Sequence, residues 1–266
     1  MSIKSKVLSV AATLALVGGV GTAGVLGAGT ASAATPSCGI ACVNLFSYQF
    51  GTHTTPAYTV DVLRQGEKVG QPIILFRQAN FDPALDWTVA FQGLTSDFLA
   101  AGLVSPAVAL HYGCLAGTSP TCIVLNPNGT IKSGVFPDDP AFENEYAPFG
   151  VNSGLCMGVA ATAFQGEGVT LQPCGVSAKT VWILDTFDQF SFITALRNGV
   201  PLINGSDTNF SHPFVLTYPA SGVPTDKPRP QLIVTNLTGF SQGTGGPILN
   251  TINSNQLWGA TFGVLP

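Results

Sequence analysis

The sequence has little charge: of 266 residues only 10 are Lys or Arg and 14 are Asp or Glu. The positive charges stand singly, as at Arg64, Arg77, Arg197 and Arg229. Without a basic patch, electrostatic binding to nucleic acid or to an anionic membrane has almost nothing to work with. Histidine is scarce as well, with His53, His111 and His212 far apart, and no CxxC pair occurs. No metal site or cofactor is therefore expected. A G-x-S-x-G elbow, an H-E-x-x-H pair and a P-loop are all missing, and Gly150-Val151-Asn152-Ser153-Gly154 has the wrong spacing for the first. Carboxylates gather at Asp138-Asp139-Pro140 with Glu143 and Glu145. Acids so close on a Pro-containing stretch are expected to form a solvated tip rather than the separated pair that glycoside hydrolysis needs. The chain is not expected to be an enzyme.

What is present begins at the N-terminus. Lys4 and Lys6 precede an apolar stretch from Val7 to about Leu26, followed by Ala31-Ser32-Ala33. These are the three parts of a secretory signal peptide over residues 1–33, with cleavage expected before Ala34. The glycines at 18, 19, 21, 24, 27 and 29 weaken the stretch as a membrane-anchoring helix. Thr35-Pro36-Ser37 before Cys38 supplies no apolar lipid-attachment position. The expected product is a secreted, extracellular domain over residues 34–266 with no membrane span after cleavage.

That domain carries six cysteines in a compartment where disulfides persist. Many pairings are possible. Proximity along the chain favours Cys38 with Cys42, Cys114 with Cys122, and Cys156 with Cys174. Short apolar or alternating runs, rich in Val, Ile, Phe and Thr, recur at 57–63, 72–76, 87–91, 169–171, 181–184, 214–218 and 232–235. They are too short for helices and read as strands. Asn128-Gly129, Asn198-Gly199 and Asn204-Gly205 are hairpin-turn dipeptides. Asp97 to Ala109 has room for a turn or two of helix, interrupted by Gly102 and Pro106. The fold class is all-β.

The three tryptophans give the organisation. Gly70-Gln71-Pro72-Ile73-Ile74-Leu75 precedes Asp86-Trp87-Thr88-Val89, and Gly168-Val169-Thr170-Leu171-Gln172-Pro173-Cys174 precedes Thr180-Val181-Trp182-Ile183. Gln231-Leu232-Ile233-Val234 is followed at longer range by Asn255-Gln256-Leu257-Trp258. A strand entering a loop that returns through one large indole, three times over, marks an internal threefold repeat. These residues resemble the ricin B-chain-like β-trefoil family, whose repeats run from a C-L-D-V strand through G-x-x-V-x-L-x-x-C to a Q-x-W close. Leu155-Cys156-Met157-Gly158-Val159 with Gly168 to Cys174 and Trp182 carries the likeness best. Asn255-Gln256-Leu257-Trp258 supplies the closing motif, and Asn128-Gly129-Thr130-Ile131 looks like the hairpin between repeats.

The resemblance implies a disulfide-stabilised β-trefoil with repeats ending near Trp87, Trp182 and Trp258. It also supports the Cys156–Cys174 pairing. The tryptophans lie much farther apart than the forty or so residues of such a repeat, so long insertions are expected, notably around residues 92 to 150. The family's sugar site needs an Asp on one strand of a repeat and an Asn just before the Q-x-W of the same repeat, where carboxylate and amide grip sugar hydroxyls and an aromatic ring stacks on the sugar. Val60-Asp61-Val62 matches the Asp strand, but the partner position is Ala84. In the second repeat the Asp position is Gly158, and the third has Asn255 with no matching Asp. Asp61 and Asn255 are the candidate ligand contacts, while Trp87, Trp182, Gln256 and Trp258 read as the structural core of the repeats. The expected activity is binding to an extracellular glycan or cell-surface polymer. The alternatives are a protease inhibitor or other factor binding a secreted protein, with the Pro-rich stretch 219–230 and Arg229 entering a partner's cleft, or a structural envelope or matrix protein.

Overall fold

One compact unit spans residues 33–266. The computed structural model describes residues 43–51, 58–77, 87–112, 121–125, 131–184, 199–222, 224, 229–239 and 252–262, with backbone alone for 121–125, 131–137 and 261–262. The expected signal peptide, Ala84, Cys38, Cys42, Cys114 and His53 lie outside the described residues, as do Asn128-Gly129 and the side chain of Cys122.

Twelve strands fall into three sets of four. The first set is β1 (Val43–Ser47), β2 (Tyr58–Val62), β3 (Ile73–Arg77) and β4 (Trp87–Leu94). Two strands of an insertion follow, β5 (Thr121–Leu125) and β6 (Ile131–Pro137). The second set is β7 (Pro140–Tyr146), β8 (Leu155–Val159), β9 (Val169–Pro173) and β10 (Trp182–Leu184). The third is β11 (Leu202–Asn204), β12 (Phe214–Thr217), β13 (Ile233–Asn236) and β14 (Trp258–Phe262). In each set the middle strands form an antiparallel hairpin, β2–β3, β8–β9 or β12–β13. The last strand pairs antiparallel with the first strand of the next set: β4 with β7, β10 with β11, and β14 with β1. Within sets, β10 also pairs with β7, and the Val200–Trp258 bridge ties the approach to β11 to β14, which brings the first and last strands of a set together in the barrel.

The three hairpins meet one another through the bridges Pro72–Thr170, Ile74–Gln231 and Gly168–Ile233. Six barrel strands with a cap of three hairpins, repeated threefold, make a β-trefoil. All seven runs read as strands from the sequence contain one, with boundaries shifted by a few residues.

Each tryptophan opens the last strand of its set, and its indole N–H donates to a backbone carbonyl of that set's second strand. The three bonds are Trp87 to Val60 at 3.2 Å, Trp182 to Met157 at 2.9 Å and Trp258 to Leu216 at 2.8 Å. In register the tryptophans face Tyr146, Asn204 and Ser47, the final residue of the following first strand each time. Burying an indole removes roughly 200 Å² from water, on the order of 5 kcal/mol at about 25 cal/mol per Å². An N–H left without an acceptor would cost about 1–3 kcal/mol. Burial thus supplies most of the stability, and the hydrogen bond decides where on the hairpin the ring sits.

The insertion leaves the barrel after Leu94 and returns at Pro140. It contains α1 (Thr95–Ala100) and α2 (Pro106–Tyr112). Gly102, at φ +73°, ends the first helix, and Pro106 opens the second where its missing N–H is harmless. The β5–β6 hairpin forms its own two-stranded sheet. Ile131 therefore does not begin the barrel strand of the second repeat, contrary to the reading of Asn128-Gly129-Thr130-Ile131 as an inter-repeat hairpin. That strand is β7, which begins at Pro140.

Phe98, Val104, Val108 and Tyr112 pack on Val181, Ile183, Ile203 and Val215 from the outer side of the barrel strands and β12, forming a second core beside the one inside the barrel. His111 stacks on Phe210 with centroids 4.4 Å apart. The two helices of the insertion are thus folded into the domain. Phe98→Ala is expected to destabilise the whole protein by about 3–5 kcal/mol in a single urea-unfolding transition. A shift well below that range would mean that the helices are an appendage.

Candidate functional site

The acidic stretch expected to be a solvated tip is buried. Asp138 accepts hydrogen bonds from the Ser96 N–H and hydroxyl, and the Asp139 carbonyl accepts from the Thr95 N–H and hydroxyl. Together they pin the start of α1 beside the start of β7. Glu143 accepts from the Gly175 N–H and the Thr180 hydroxyl, and Glu145 accepts from the Gly154 N–H at 2.7 Å. The carboxylates bind orphan backbone donors of tight turns, which is why alternate outward positions of a barrel strand can be acidic and still buried. Cys156 and Cys174 are bridged, with S–S 2.03 Å, tying β8 to the end of β9 in the same region. Among the described residues no group of His, Cys, Asp or Glu could hold a metal ion, and no helix is long and apolar enough to cross a membrane.

The indole hydrogen bonds align the three repeats without reference to sequence similarity. The acceptors Val60, Met157 and Leu216 are equivalent, so the next residues, Asp61, Gly158 and Thr217, are equivalent too. The preceding residues face Phe76, Gln172 and Thr235 across each hairpin. Val60, Val62, Ile73 and Leu75 belong to the barrel core. By strand alternation Asp61 and Phe76 therefore share the outward face of the first hairpin. They are diagonal neighbours, a spacing of roughly 7 Å in a regular sheet.

Only the first repeat combines a carboxylate with an aromatic ring at these positions. Asp61 is 3% exposed, while Phe76 is half-buried. The Arg229 guanidinium lies 3.7 Å from the centroid of the Phe76 ring, a cation–π contact that places N–H donors over the ring. Just beyond Asp61, Arg64 and Gln65 both have positive φ, 59° and 54°. Two consecutive non-glycine residues in the left-handed region store strain of order 1–3 kcal/mol each, a cost found mostly at recognition turns.

The equivalent places in the other repeats are closed by packing. A Cβ on Gly158 would sit 2.7 Å from the Lys179 carbonyl oxygen and 2.9 Å from Thr180 Cγ2. The Gln172 amide donates to the Thr170 hydroxyl. In the third repeat Thr217 shares a hydrogen bond with Thr235. The Gln256 amide nitrogen donates to Thr235 Oγ1 and the Asn236 carbonyl, and its oxygen accepts from the Thr238 N–H and hydroxyl. Gln256 is buried and fastens the turn before Trp258 to β13. Asn255 donates through Nδ2 to the Tyr218 carbonyl at 2.9 Å and accepts the Tyr218 N–H on its own backbone oxygen. Asp61 and Asn255 thus belong to different repeats. Phe76 and Arg229 were not picked out from the sequence as members of this group, although the register of G-x-x-V-x-L-x-x-C against the Asp strand points to residue 76 once the hairpins are aligned.

No protein-family description matches the chain, and no curated protein is similar to it at a significant level. Solved structures are similar only distantly. A designed 3-fold symmetric protein, ThreeFoil, is 10% identical with a TM-score of 0.43, covering 82% of this chain and 96% of its own. The Rhizoctonia solani agglutinin is 14% identical with a TM-score of 0.41, covering 84% of this chain and 95% of its own. An exo-β-1,3-galactanase from Clostridium thermocellum is 9% identical with a TM-score of 0.43, covering 84% of this chain and 30% of its own. The trefoil assignment rests on the chain's own threefold hydrogen bonds and registers.

Gly158→Asp, which restores the missing carboxylate of the second repeat, is expected to create no binding site. It should lower stability by about 1–3 kcal/mol through overpacking, measured by urea unfolding. A neutral effect on stability would mean that the position is open.

Proposed function

We propose that this is an exported, non-catalytic β-trefoil that binds extracellular carbohydrate through its first repeat. The observation that carries the reading is the placement of Asp61 and Phe76 on one outward hairpin face, with Arg229 over the Phe76 ring, while the equivalent positions of the other two repeats hold no such pair. A sugar ring offers an apolar face of C–H groups and a rim of hydroxyls. Phe76 supplies a flat apolar surface, the Asp61 carboxylate accepts from hydroxyls, and Arg229 donates to hydroxyl or carboxylate oxygens. Asn255, tied to Tyr218 next to a Thr217 already bonded, supports the third repeat in this reading.

The export reading rests on residues 1–33 and on a disulfide of the kind that persists outside the reducing cytosol. An array of neutral and acidic glycans probed with the purified chain is expected to give saturable binding. Asp61→Asn and Phe76→Ala should each weaken it at least tenfold, and Asn255→Ala should leave it unchanged. Binding to no glycan, or binding indifferent to both first-repeat substitutions, would overturn the proposal.

A protein-binding role is the second reading, and one observation favours it. Phe149, Val151 and Val176 are 72%, 68% and 71% exposed. They stand on turns held together by the Cys174 N–H to Gly154 carbonyl bond and by Glu143 and Glu145. Three large apolar side chains on a rigid lobe are an unusual surface. Inhibition assays against secreted proteases, with Phe149→Ser as the control, separate the two readings.

A further inference from the structure

Folding sorts the charges by sign. Of the acids whose side chains are described, Asp61, Asp138, Glu143, Glu145, Glu167 and Asp207 are buried, and only Glu67, Asp97 and Asp139 reach solvent. Most of the buried ones serve the fold. Glu167 accepts from the Ala161 N–H at 2.8 Å and Asp207 from the Asn209 N–H at 2.7 Å, as Asp138, Glu143 and Glu145 accept from other turns. The described cations do the opposite: Arg64, Lys68 and Arg77 are exposed, and Lys179 and Arg229 are half-buried. The described surface therefore presents five cations against three anions, although the chain as a whole is acidic.

Four of these cations, single in the sequence, stand on or against the first hairpin. Arg64 and Lys68 are in the turn between β2 and β3, Arg77 ends β3, and Arg229 covers the Phe76 ring. That turn is fixed from within. The Leu63 N–H donates to the Pro72 carbonyl at 3.0 Å, the Gln71 side-chain amide donates back to the Leu63 carbonyl, and the Gly70 N–H donates to the Leu171 carbonyl of β9 at 2.9 Å. From the turn to Arg77 the hairpin runs about 15 Å, at roughly 3.3 Å per residue. Cations spread over that length suit a chain of sugars better than one ring.

We propose that the first repeat binds an acidic polysaccharide built of uronate rings, with Arg64, Lys68, Arg77 and Arg229 supplying the charge that selects its carboxylates. The inference rests on the carbohydrate reading of this hairpin and narrows it. Cations alone would suit any polyanion. Asp61 on the same hairpin disfavours a chain of bare phosphates, because a carboxylate repels anions and accepts only from donors. Each ring of a polyuronate carries hydroxyls for Asp61, an apolar C–H face for Phe76 and a carboxylate whose two oxygens match a guanidinium. The acidity of the chain does not oppose such a ligand, since most of the described carboxylates are inside the fold.

The test titrates short oligomers of galacturonate, alginate and hyaluronate into the purified chain by calorimetry, each beside its neutral methyl ester. Saturable binding of at least one acid is expected, with its ester at least tenfold weaker. Raising salt from about 50 to about 200 mM should weaken the acid severalfold, as screening requires. The double variant Arg64→Gln with Lys68→Gln, and Arg229→Gln alone, should each weaken the acid at least fivefold and narrow its lead over the ester. Lys179→Gln, in the second repeat, should change neither. These side chains are exposed or half-buried, so the variants are expected to keep their β circular dichroism. An ester bound as tightly as its acid would overturn this inference while leaving a neutral-glycan site in the first repeat. Oligothymidylate bound as tightly as the acid would also overturn it, in favour of unselective polyanion binding. Binding of no glycan, acidic or neutral, overturns both this inference and the carbohydrate reading beneath it.

Discussion

The bond from a buried indole N–H to a strand carbonyl, made three times, is the constraint on which the rest of this protein depends. The indole must be dry to contribute its burial, and once dry its N–H must find an acceptor. The acceptor is always the third residue of the hairpin's first strand. The bond therefore joins the cap to the barrel at one depth and fixes the register of the strand that the tryptophan opens. Because that strand pairs with the first strand of the next repeat, each local bond also places its neighbour. What lies outside the twelve strands is released from the symmetry, and the two helices from Thr95 to Tyr112 use that freedom to build a second core.

Symmetry in the backbone makes differences in the side chains legible. At one set of equivalent positions the chain places Asp61, Gly158 and Thr217, and across from their neighbours Phe76, Gln172 and Thr235. In the second repeat the backbone of Lys179 occupies the space a side chain would need. In the third, hydroxyls and the Gln256 amide satisfy one another. Only the first retains a carboxylate and a ring with a guanidinium over it. Strand β7 carries the same lesson in three consecutive residues. Glu143 and Glu145 face out and meet backbone N–H groups, while Asn144 faces in and meets none.

Much of the architecture was legible in the sequence because its signals are local. Alternation of apolar residues marked seven strands, and three widely spaced tryptophans marked the repeat. The runs did not mark β1, β8, β11 or β14, nor β7, whose Glu143-Asn144-Glu145 has no apolar alternation to read. The acids of 138–145 looked solvated because their partners, Thr95, Ser96, Gly154, Gly175 and Thr180, are brought to them only by folding.

By itself, then, the sequence determined the all-β class, the threefold organisation and the nearness of Cys156 to Cys174, since periodicity, turn residues and short-range spacing act over few residues. Which repeat pairs a carboxylate with an aromatic ring on one hairpin face, and where the bulge in β4 sends Phe91 and Gln92, were decided only in the tertiary structure. Each depends on which side chains from separate strands share a layer or a face. That is set by register between strands, which no single strand encodes.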